Sequence, residues 1–298
     1  MSTEQIDPRY AGLDSWSTAE MLAVMYEGQL AAAAAVQPAL EAIGRAVQDS
    51  AAALKHEGRL AYVGAGTSGR IGVQDGTELC PTFNWPAERL LFLIAGGTAA
   101  LTRSAEAAED SEPDGAKAII EATIESHDVV IGLAASGTTP FVLGALRAAQ
   151  QAGAVTVGIA NNPGAPLLGL VRHPVLLRTG SEAIAGSTRM KAATAQKIAL
   201  NLFSTALMVK LGRVYSGLMV HMRATNAKLK RRAVVIVSDV TGCAAGDGVR
   251  FVEEAEGDVK IAILLALGRT RSEAAALLER ADGNLRVAID DIRSGKHD

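Results

Sequence analysis

Residues 60–70 read LAYVGAGTSGR, a short apolar run that leads directly into three closely spaced glycines. Similar apolar runs, each ending in glycine or small polar residues and followed by a helix-like stretch, occur at 90–95, 129–134 and 155–159. A fifth run at 174–177 is a further candidate strand. Continuous apolar runs are typical of parallel strands that helices cover on both faces. The sequence therefore predicts an α/β fold with a doubly wound, mostly parallel sheet.

Helical patterns flank this sheet in the sequence. Ser17 and Glu20 have the spacing of a capping box, which predicts a helix start, and Pro38 interrupts the alanine-rich stretch that follows. The pattern is helical again over residues 189–211. The stretch 225–240 is ambiguous, because its 233–237 run is β-branched while the spacing of its apolar residues also fits a helix.

The last part of the chain changes composition after Gly242, where Glu, Ala, Leu and Arg dominate. Three glycines there are placed where short helices would end, and they are Gly257, Gly268 and Gly283. These features predict three or four small helices. We therefore expect three parts: an N-terminal helical segment over 1–55, an α/β domain over 56–240 and a small helical C-terminal subdomain over 241–298.

Composition excludes several classes of protein. The 298 residues carry 29 Lys+Arg against 32 Asp+Glu, a net charge of −3, so no excess of positive charge is available for nucleic acid. Cys80 and Cys243 form no CxxC motif, which argues against a disulfide framework or a cysteine zinc site. The N-terminus has no apolar signal region and no run is long enough to span a membrane. We expect a soluble, cytoplasmic protein.

Histidines offer no metal site either. The five histidines lack HxxxH or HExxH spacing and are His56, His127, His173, His221 and His297. No GxSxG nucleophile motif occurs. We therefore predict no metal ion.

The loop after the first predicted strand is formally a GxGxxG motif, formed by Gly64, Gly66 and Gly69. A dinucleotide site also needs an acidic residue at the end of the second strand, but that strand ends in IAGG at 94–97, so we predict no nicotinamide cofactor. The hydroxyls of Thr67 and Ser68 can instead donate to phosphate or sugar oxygens. The alternative is a tight strand-to-helix turn without a ligand.

A second loop of small and hydroxyl residues follows the third predicted strand. It contains Ser136, Gly137, Thr138 and Thr139 immediately before Pro140. Amides and hydroxyls at the start of a helix can hold a phosphate without a lysine. Serine and threonine also favour helix N-caps, so a purely structural role stays open.

A third constellation spans residues 181–197, SEAIAGSTRMKAATAQK, and contains Glu182, Ser187, Arg189 and Lys191. Its cations fall at the predicted start of a helix, where they oppose the helix dipole. A bound anion or a partner carboxylate explains them better than helix stability does, and a solvated surface is the remaining alternative.

Two glutamates lie near the predicted loops. Glu78 is near the end of the helix that follows the first glycine loop, and Glu109 lies where a helix after the second strand gives way to a polar loop. Most helical glutamates are simply solvated, so neither position alone indicates catalysis.

Taken together, these motifs closely resemble those of the N-acetylmuramic acid 6-phosphate etherases, which share a sugar-isomerase-type (SIS) phosphosugar domain with the glucokinase regulatory proteins. The resemblance covers residues 4–240 and rests on Ile6-Asp7, GAGTSGR, Thr77-Glu78, AED, AASGTTP, GSTRMK and Ala224-Thr225-Asn226. The run from Glu182 to Lys197 is the most specific, because generic phosphosugar domains lack it. Two positions depart from the family pattern, Leu79 and Ala193.

The resemblance implies roles for individual residues. The proton-donor glutamate of the family falls on Glu78 and its second active-site glutamate on Glu109. Phosphate contacts of related domains fall on Ser68, Ser136, Thr138 and Thr139. We also expect substrate contacts from Gly66, Thr67, Gly137, Glu182, Ser187, Arg189 and Lys191.

The reaction that the resemblance implies is cleavage of the D-lactyl ether of N-acetylmuramic acid 6-phosphate. Ring opening makes the C2 proton removable, β-elimination breaks the C3–O bond, and addition of water gives N-acetylglucosamine 6-phosphate and D-lactate. We assign Glu78 as the acid and Glu109 as the base, although the opposite assignment stays open. Such a carbon–oxygen lyase of cell-wall amino sugar recycling needs no cofactor, and the resemblance implies a homodimer.

Two other functions stay open at this level. A non-catalytic phosphosugar-binding regulator keeps the loops without needing Glu78 and Glu109, but usually carries two such domains. An aldose–ketose isomerase also uses C2 proton chemistry but releases no lactate.

Overall fold

The computed structural model describes residues 2–55, 57–103, 105–224 and 226–294, apart from the side chain of Glu106. The predictions that concern His56, Thr225 and His297 lie outside the described residues. The chain forms two compact units. The first comprises Met1–Thr77 with Ala87–Leu207, and the second comprises Glu78–Pro86 with Met208–Asp298. The division into three parts at residues 55 and 240 stays a prediction.

The first unit is built on a five-stranded parallel sheet in the order β2-β1-β3-β4-β5. The strands are β1 (Leu60–Gly64), β2 (Leu90–Ile94), β3 (Val129–Leu133), β4 (Val155–Ala160) and β5 (His173–Leu176). All residues of β1, β3 and β4 are buried. Because successive strand residues point to opposite faces, this burial means that both faces of the sheet are covered. The predicted α/β fold with a parallel sheet is confirmed.

Seven α-helices begin in this unit among the described residues. They are α1 (Thr18–Ala34), α2 (Leu40–Ala53), α3 (Gly66–Phe83), α4 (Glu112–Glu121), α5 (Pro140–Gln151), α6 (Pro166–Leu170) and α7 (Lys191–Lys210). Short 3-10 helices span Pro8–Tyr10, Leu13–Ser15, Gln37–Ala39, Ala87–Arg89, Thr98–Leu101 and Glu106–Ala108. The predicted capping box is present, since Ser17 and Glu20 bond each other's backbone amides. Pro38 lies in the break between α1 and α2, as predicted.

Helices α4 and α5 pack against each other at two glycines. A Cβ atom on Gly115 would overlap the carbonyl oxygen of Phe141, and one on Gly144 would overlap that of Glu112. Neither obstacle is the flexible end of a side chain. The two backbones therefore lie too close for any side chain at either position.

We expect Gly115→Ala to lower the free energy of unfolding by about 1–3 kcal/mol, because the methyl group forces α4 away from α5. Gly44→Ala is the matched control. Gly44 lies inside α2, and no atom lies within 4 Å of the position that a methyl group would take there, so alanine should be neutral or stabilising. Urea unfolding of both variants checks this, and equal midpoints for the two would contradict the tight packing.

The second unit is helical. Its helices among the described residues are α8 (Ala227–Thr241), α9 (Ala245–Glu254), α10 (Val259–Ala266), α11 (Arg271–Arg280) and α12 (Leu285–Ser294). The ambiguous stretch is thus the helix α8, with its buried residues Ala233, Ile236 and Val237 at helical spacing. Gly257, Gly268 and Gly283 have φ values of +82°, +85° and +71° and follow helices, as predicted.

Candidate functional site

The strand order places two predicted loops side by side. β1 is flanked by β2 on one side and β3 on the other, so the direction of winding reverses at β1. Gly64 at the end of β1 is in register with Leu133 at the end of β3. Ligands of open α/β sheets bind outside the carboxyl ends of strands at such a reversal. The loops GAGTSGR and AASGTTP both begin there.

The backbone geometry of the first loop explains why glycine occupies three of its positions. Gly66 starts α3 with a φ of +51°, which favours glycine. A Cβ atom on Gly64 would lie 2.7 Å from the Cα of Gly69, so these two residues let the helix approach the strand. The glycine spacing therefore reflects strand–helix packing. Thr67 and Ser68 are left as the polar side chains at the start of α3.

Arg70, in the next turn of α3, fixes the segment after β2. Its guanidinium donates to the carbonyl oxygens of Ala100 at 2.9 Å and Leu101 at 3.2 Å. Sequence reasoning did not select Arg70 as a site residue. Its position directly after the glycine loop was the available signal.

A cavity of about 240 Å³ opens beside the first loop. Its lining residues are Ala65, Gly66, Thr67, Arg70, Ala95, Ala100, Ala105 and Glu109. The structure thus brings together three residues that the sequence selected, Gly66, Thr67 and Glu109. Ser68 does not line this cavity.

The second loop is shaped by its own hydrogen bonds. Ser136 Oγ accepts from the backbone amide of Thr138 at 3.2 Å and from its hydroxyl at 3.0 Å. Gly137 has a φ of +71° and leaves no room for a Cβ atom beside Ala165. Thr139 is the N-cap residue of α5, but its side chain makes no capping hydrogen bond. A capping role thus does not account for the hydroxyl of Thr139.

Glu109 is tied to both loops. It lines the cavity beside the first loop, and its carbonyl oxygen accepts from the amide of Phe141, in the first turn of α5, at 3.0 Å. The backbone bond fixes Glu109 relative to the second loop whatever its side chain does. The half-buried Glu109 thus lines the same cavity as Gly66, Thr67 and Arg70, a set of residues that can hold a phosphorylated ligand and transfer a proton.

Glu78 lies in the part of α3 that belongs to the second unit, and its side chain is exposed. One turn earlier, the buried Asp75 accepts from Tyr62 Oη at 2.8 Å, from Ser204 Oγ at 2.9 Å and from Asn201 Nδ2. Burial raises the pKa of Asp75, while these donors act against that rise. This network holds α3 in place. Sequence reasoning missed it.

The third constellation turns out to contain its own carboxylate. Glu182 is 1% exposed and accepts from the backbone amides of Lys191 at 3.0 Å and Ala192 at 2.9 Å at the start of α7. Burial lowers the pKa of Lys191, and the charge of Glu182 opposes this. A partner carboxylate, one of the three explanations offered for these cations, is thus present for Lys191. Substrate contacts of Glu182, Ser187, Arg189 and Lys191 stay predictions.

We expect Glu182→Ala to lower the free energy of unfolding by about 3 kcal/mol or more, because it leaves two helix amides and the buried Lys191 without their carboxylate. Glu27→Ala, at an exposed position of α1, is the control and should change stability by less than about 0.5 kcal/mol. Thermal unfolding measures both. An unchanged melting temperature with a raised KM would show instead that Glu182 acts on substrate.

The N-terminal segment is pinned to this constellation. Thr3 exchanges hydrogen bonds with the side chain of Asn162 at 2.9 and 3.0 Å, and its carbonyl accepts from the amide of Gly186 at 3.1 Å. Ser181 donates to the buried Asp7 at 3.1 Å, and the Arg9 guanidinium holds the pKa of Asp7 well below its ordinary value. Asp7 of the Ile6-Asp7 motif therefore has a structural role.

No group of three or more His, Cys, Asp or Glu side chains in the described part of the chain is arranged to hold a metal ion. No described helix combines the length and apolar character needed to cross a membrane.

Comparison with known proteins covers nearly the whole chain. The model of the glucokinase regulatory protein N-terminal SIS domain matches residues 42–150. The N-acetylmuramic acid 6-phosphate etherase of Deinococcus radiodurans is 52% identical over 96% of this chain and 94% of its own length. That of Geobacillus thermodenitrificans is 44% identical over 97% of this chain and 99% of its own. The structure of a phosphoheptose isomerase from Francisella tularensis is 18% identical, with a TM-score of 0.48, over 67% of this chain and 100% of its own.

Proposed function

This chain belongs to the N-acetylmuramic acid 6-phosphate etherase family, and we propose that Glu78 and Glu109 carry out its ether cleavage. The enzyme is a carbon–oxygen lyase of cell-wall amino sugar recycling. Identity of 52% over 96% of the chain is the observation that carries this function. Glu109 supports the proposed mechanism, because it lines a cavity together with the glycine loop.

The chemistry calls for one base and one acid. The base takes the C2 proton of the open-chain sugar, the C2–H electron pair forms the C2=C3 bond, and the C3–O bond breaks towards oxygen. The acid protonates that oxygen, which releases D-lactate. Water then adds to the unsaturated aldehyde and gives N-acetylglucosamine 6-phosphate, so electrons balance without a redox partner.

Glu109 suits the role of base, since it lines the cavity beside the first of the loops that we propose to hold the substrate. Glu78 then serves as the acid. The two carboxyl groups divide the work, as carboxylate pairs in different surroundings do in other enzymes.

We propose that the phosphate is held by the hydroxyl loops. Helices α3 and α5 both begin at these loops, and helix N-termini attract anions. Thr67 and Ser68 supply hydroxyls on one side and Ser136, Thr138 and Thr139 on the other. Binding of this remote group orients the sugar for reaction at C2 and C3.

We also propose that the enzyme is a cytoplasmic homodimer. Leu22, Tyr26 and Leu30 are 60%, 64% and 54% exposed and follow one another at four-residue spacing along α1, so they form an apolar stripe. Both cysteines are free, which agrees with a reducing compartment. Light scattering on the protein as it elutes from a size-exclusion column measures its molar mass, which should be that of a dimer.

The test of the function is D-lactate release from N-acetylmuramic acid 6-phosphate by the purified protein. We expect stoichiometric D-lactate and N-acetylglucosamine 6-phosphate. If the phosphosugar raises the melting temperature but no lactate forms, the protein is a regulator. A ketose product without lactate would identify an isomerase instead.

A further inference from the structure

A second cavity lies wholly within the second unit and has a volume of about 460 Å³. Its lining residues are Cys80, Pro81, Asn84, Met222, Arg223, Asn226, Lys228, Leu229 and Arg232. Three of them are cations and none is an acid. No salt bridge of the described residues involves Arg223, Lys228 or Arg232. The charge of Arg223 lowers the pKa of Glu256, so this cation has an acidic neighbour, but the lining of the cavity, which we call the basic cavity, is itself positively charged.

The stability of α8 does not explain its two cavity-lining cations, Lys228 and Arg232. Lys228 and Arg232 are four residues apart on one face of the helix, where like charges repel each other. They also occupy its first turns, which hold no acidic residue, so both oppose the helix dipole. An anionic ligand would relieve this repulsion.

One wall of the basic cavity is held rigidly. Asn84 adopts a φ of +51°, which is uncommon for a residue other than glycine. Arg213 is 8% exposed and donates to the carbonyl oxygens of Phe83 at 2.9 Å and Asn84 at 2.7 Å. Its guanidinium also lies 4.9 Å from the ring centre of Trp85. This wall is thus fixed before any ligand arrives.

The basic cavity combines charge with apolar surface. Pro81, Met222 and Leu229 line it beside the three cations. Inorganic phosphate has no apolar group to contact this surface. A small carboxylate with an alkyl substituent matches both the cations and the apolar residues. Glu78 and Pro81 are three residues apart on α3 and share a helix face, so the basic cavity borders the face that carries the proposed acid.

We infer that the basic cavity binds the carboxylate of the D-lactyl group, with Arg223, Lys228 and Arg232 as its charge partners. The inference rests on the proposed function. The lactyl carboxylate is separated from the ether oxygen by a single carbon, so the group that protonates this oxygen and the cations that hold the carboxylate must be neighbours. Negative charge that develops on the departing oxygen is stabilised by the same cations.

The experiment compares Lys228→Met and Arg232→Gln with Arg231→Gln, an exposed cation of α8 that does not line the basic cavity. For each we measure the KM for N-acetylmuramic acid 6-phosphate and the inhibition constant of N-acetylglucosamine 6-phosphate, which lacks the lactyl group. We expect the two cavity variants to raise KM about tenfold or more and to leave the inhibition constant unchanged. Arg231→Gln should match the parent in both.

Three outcomes would contradict either the inference or the proposed function on which it rests. Equal KM values in all variants of an active parent would overturn the inference alone. Parallel weakening of substrate and inhibitor in the cavity variants would show that the basic cavity binds phosphate, which also overturns it. A parent that releases no D-lactate refutes the proposed function itself. Melting curves of the four proteins establish that the exposed substitutions leave the fold intact.

Discussion

Glu78→Gln is expected to lower the rate of D-lactate release at least about 100-fold. Glutamine keeps the size of the side chain but has no carboxyl proton for the departing ether oxygen, so the lactate would have to leave as an unprotonated alkoxide. Because Glu78 is exposed, the exchange should leave the fold unchanged. Steady-state kinetics with a D-lactate assay measure the loss, which should fall on kcat rather than on KM.

Glu88→Gln is the control for this loss. Glu88 is an exposed glutamate in the 3-10 helix Ala87–Arg89, ten residues further along the chain, and no role in the reaction falls on it. The variant should react at the parental rate. N-acetylglucosamine 6-phosphate should raise the melting temperature of parent and Glu78→Gln alike. An undiminished rate in Glu78→Gln would remove this residue from the mechanism.

The sheet could be predicted from sequence because its signal is local. Each strand is a short run of consecutive apolar residues, and such a run can be buried on both faces only inside a sheet that helices cover. All five predicted runs are strands, within about one residue at each end. The first loop followed from β1 for the same reason, since a strand that ends in closely spaced glycines must turn there into the next helix.

The helix α8 shows where local reasoning ends. Its run of β-branched residues at 234–237 favours a strand, while its apolar spacing favours a helix. Packing decides between them, because Ala233, Ile236 and Val237 join the core of the second unit only when they share a helix face. A single sequence gives no information on that partner surface.

The buried polar contacts of the first unit could not be predicted at all. Asp75 meets Ser204 across 129 positions of sequence, and Asp7 meets Ser181 across 174. The contact of Glu182 with the start of α7 could not be predicted either, because a carboxylate near a helix start has no distinctive pattern of its own. Its role as the anchor of α7 depends on a turn that brings it back to Lys191 and Ala192, which only the fold supplies.

Glu109→Gln is expected to suppress removal of the C2 proton, and with it D-lactate release, at least about 100-fold. The amide of glutamine cannot accept the proton as a carboxylate does. The backbone bond from Phe141 to the carbonyl oxygen of residue 109 is independent of the side chain, so the loop should keep its position. The informative measurement is uptake of deuterium at C2 of the substrate in heavy water, followed by mass spectrometry.

This measurement separates the two glutamates, because removal of the C2 proton needs the base but not the acid. Glu78→Gln should therefore still exchange deuterium into C2 while it releases almost no lactate, and Glu109→Gln should do neither. Glu109→Asp, which keeps a carboxylate on a shorter side chain, should recover part of the exchange. If exchange were lost in Glu78→Gln and retained in Glu109→Gln, the roles of acid and base would have to be interchanged, since only the base is needed to make C2 exchangeable.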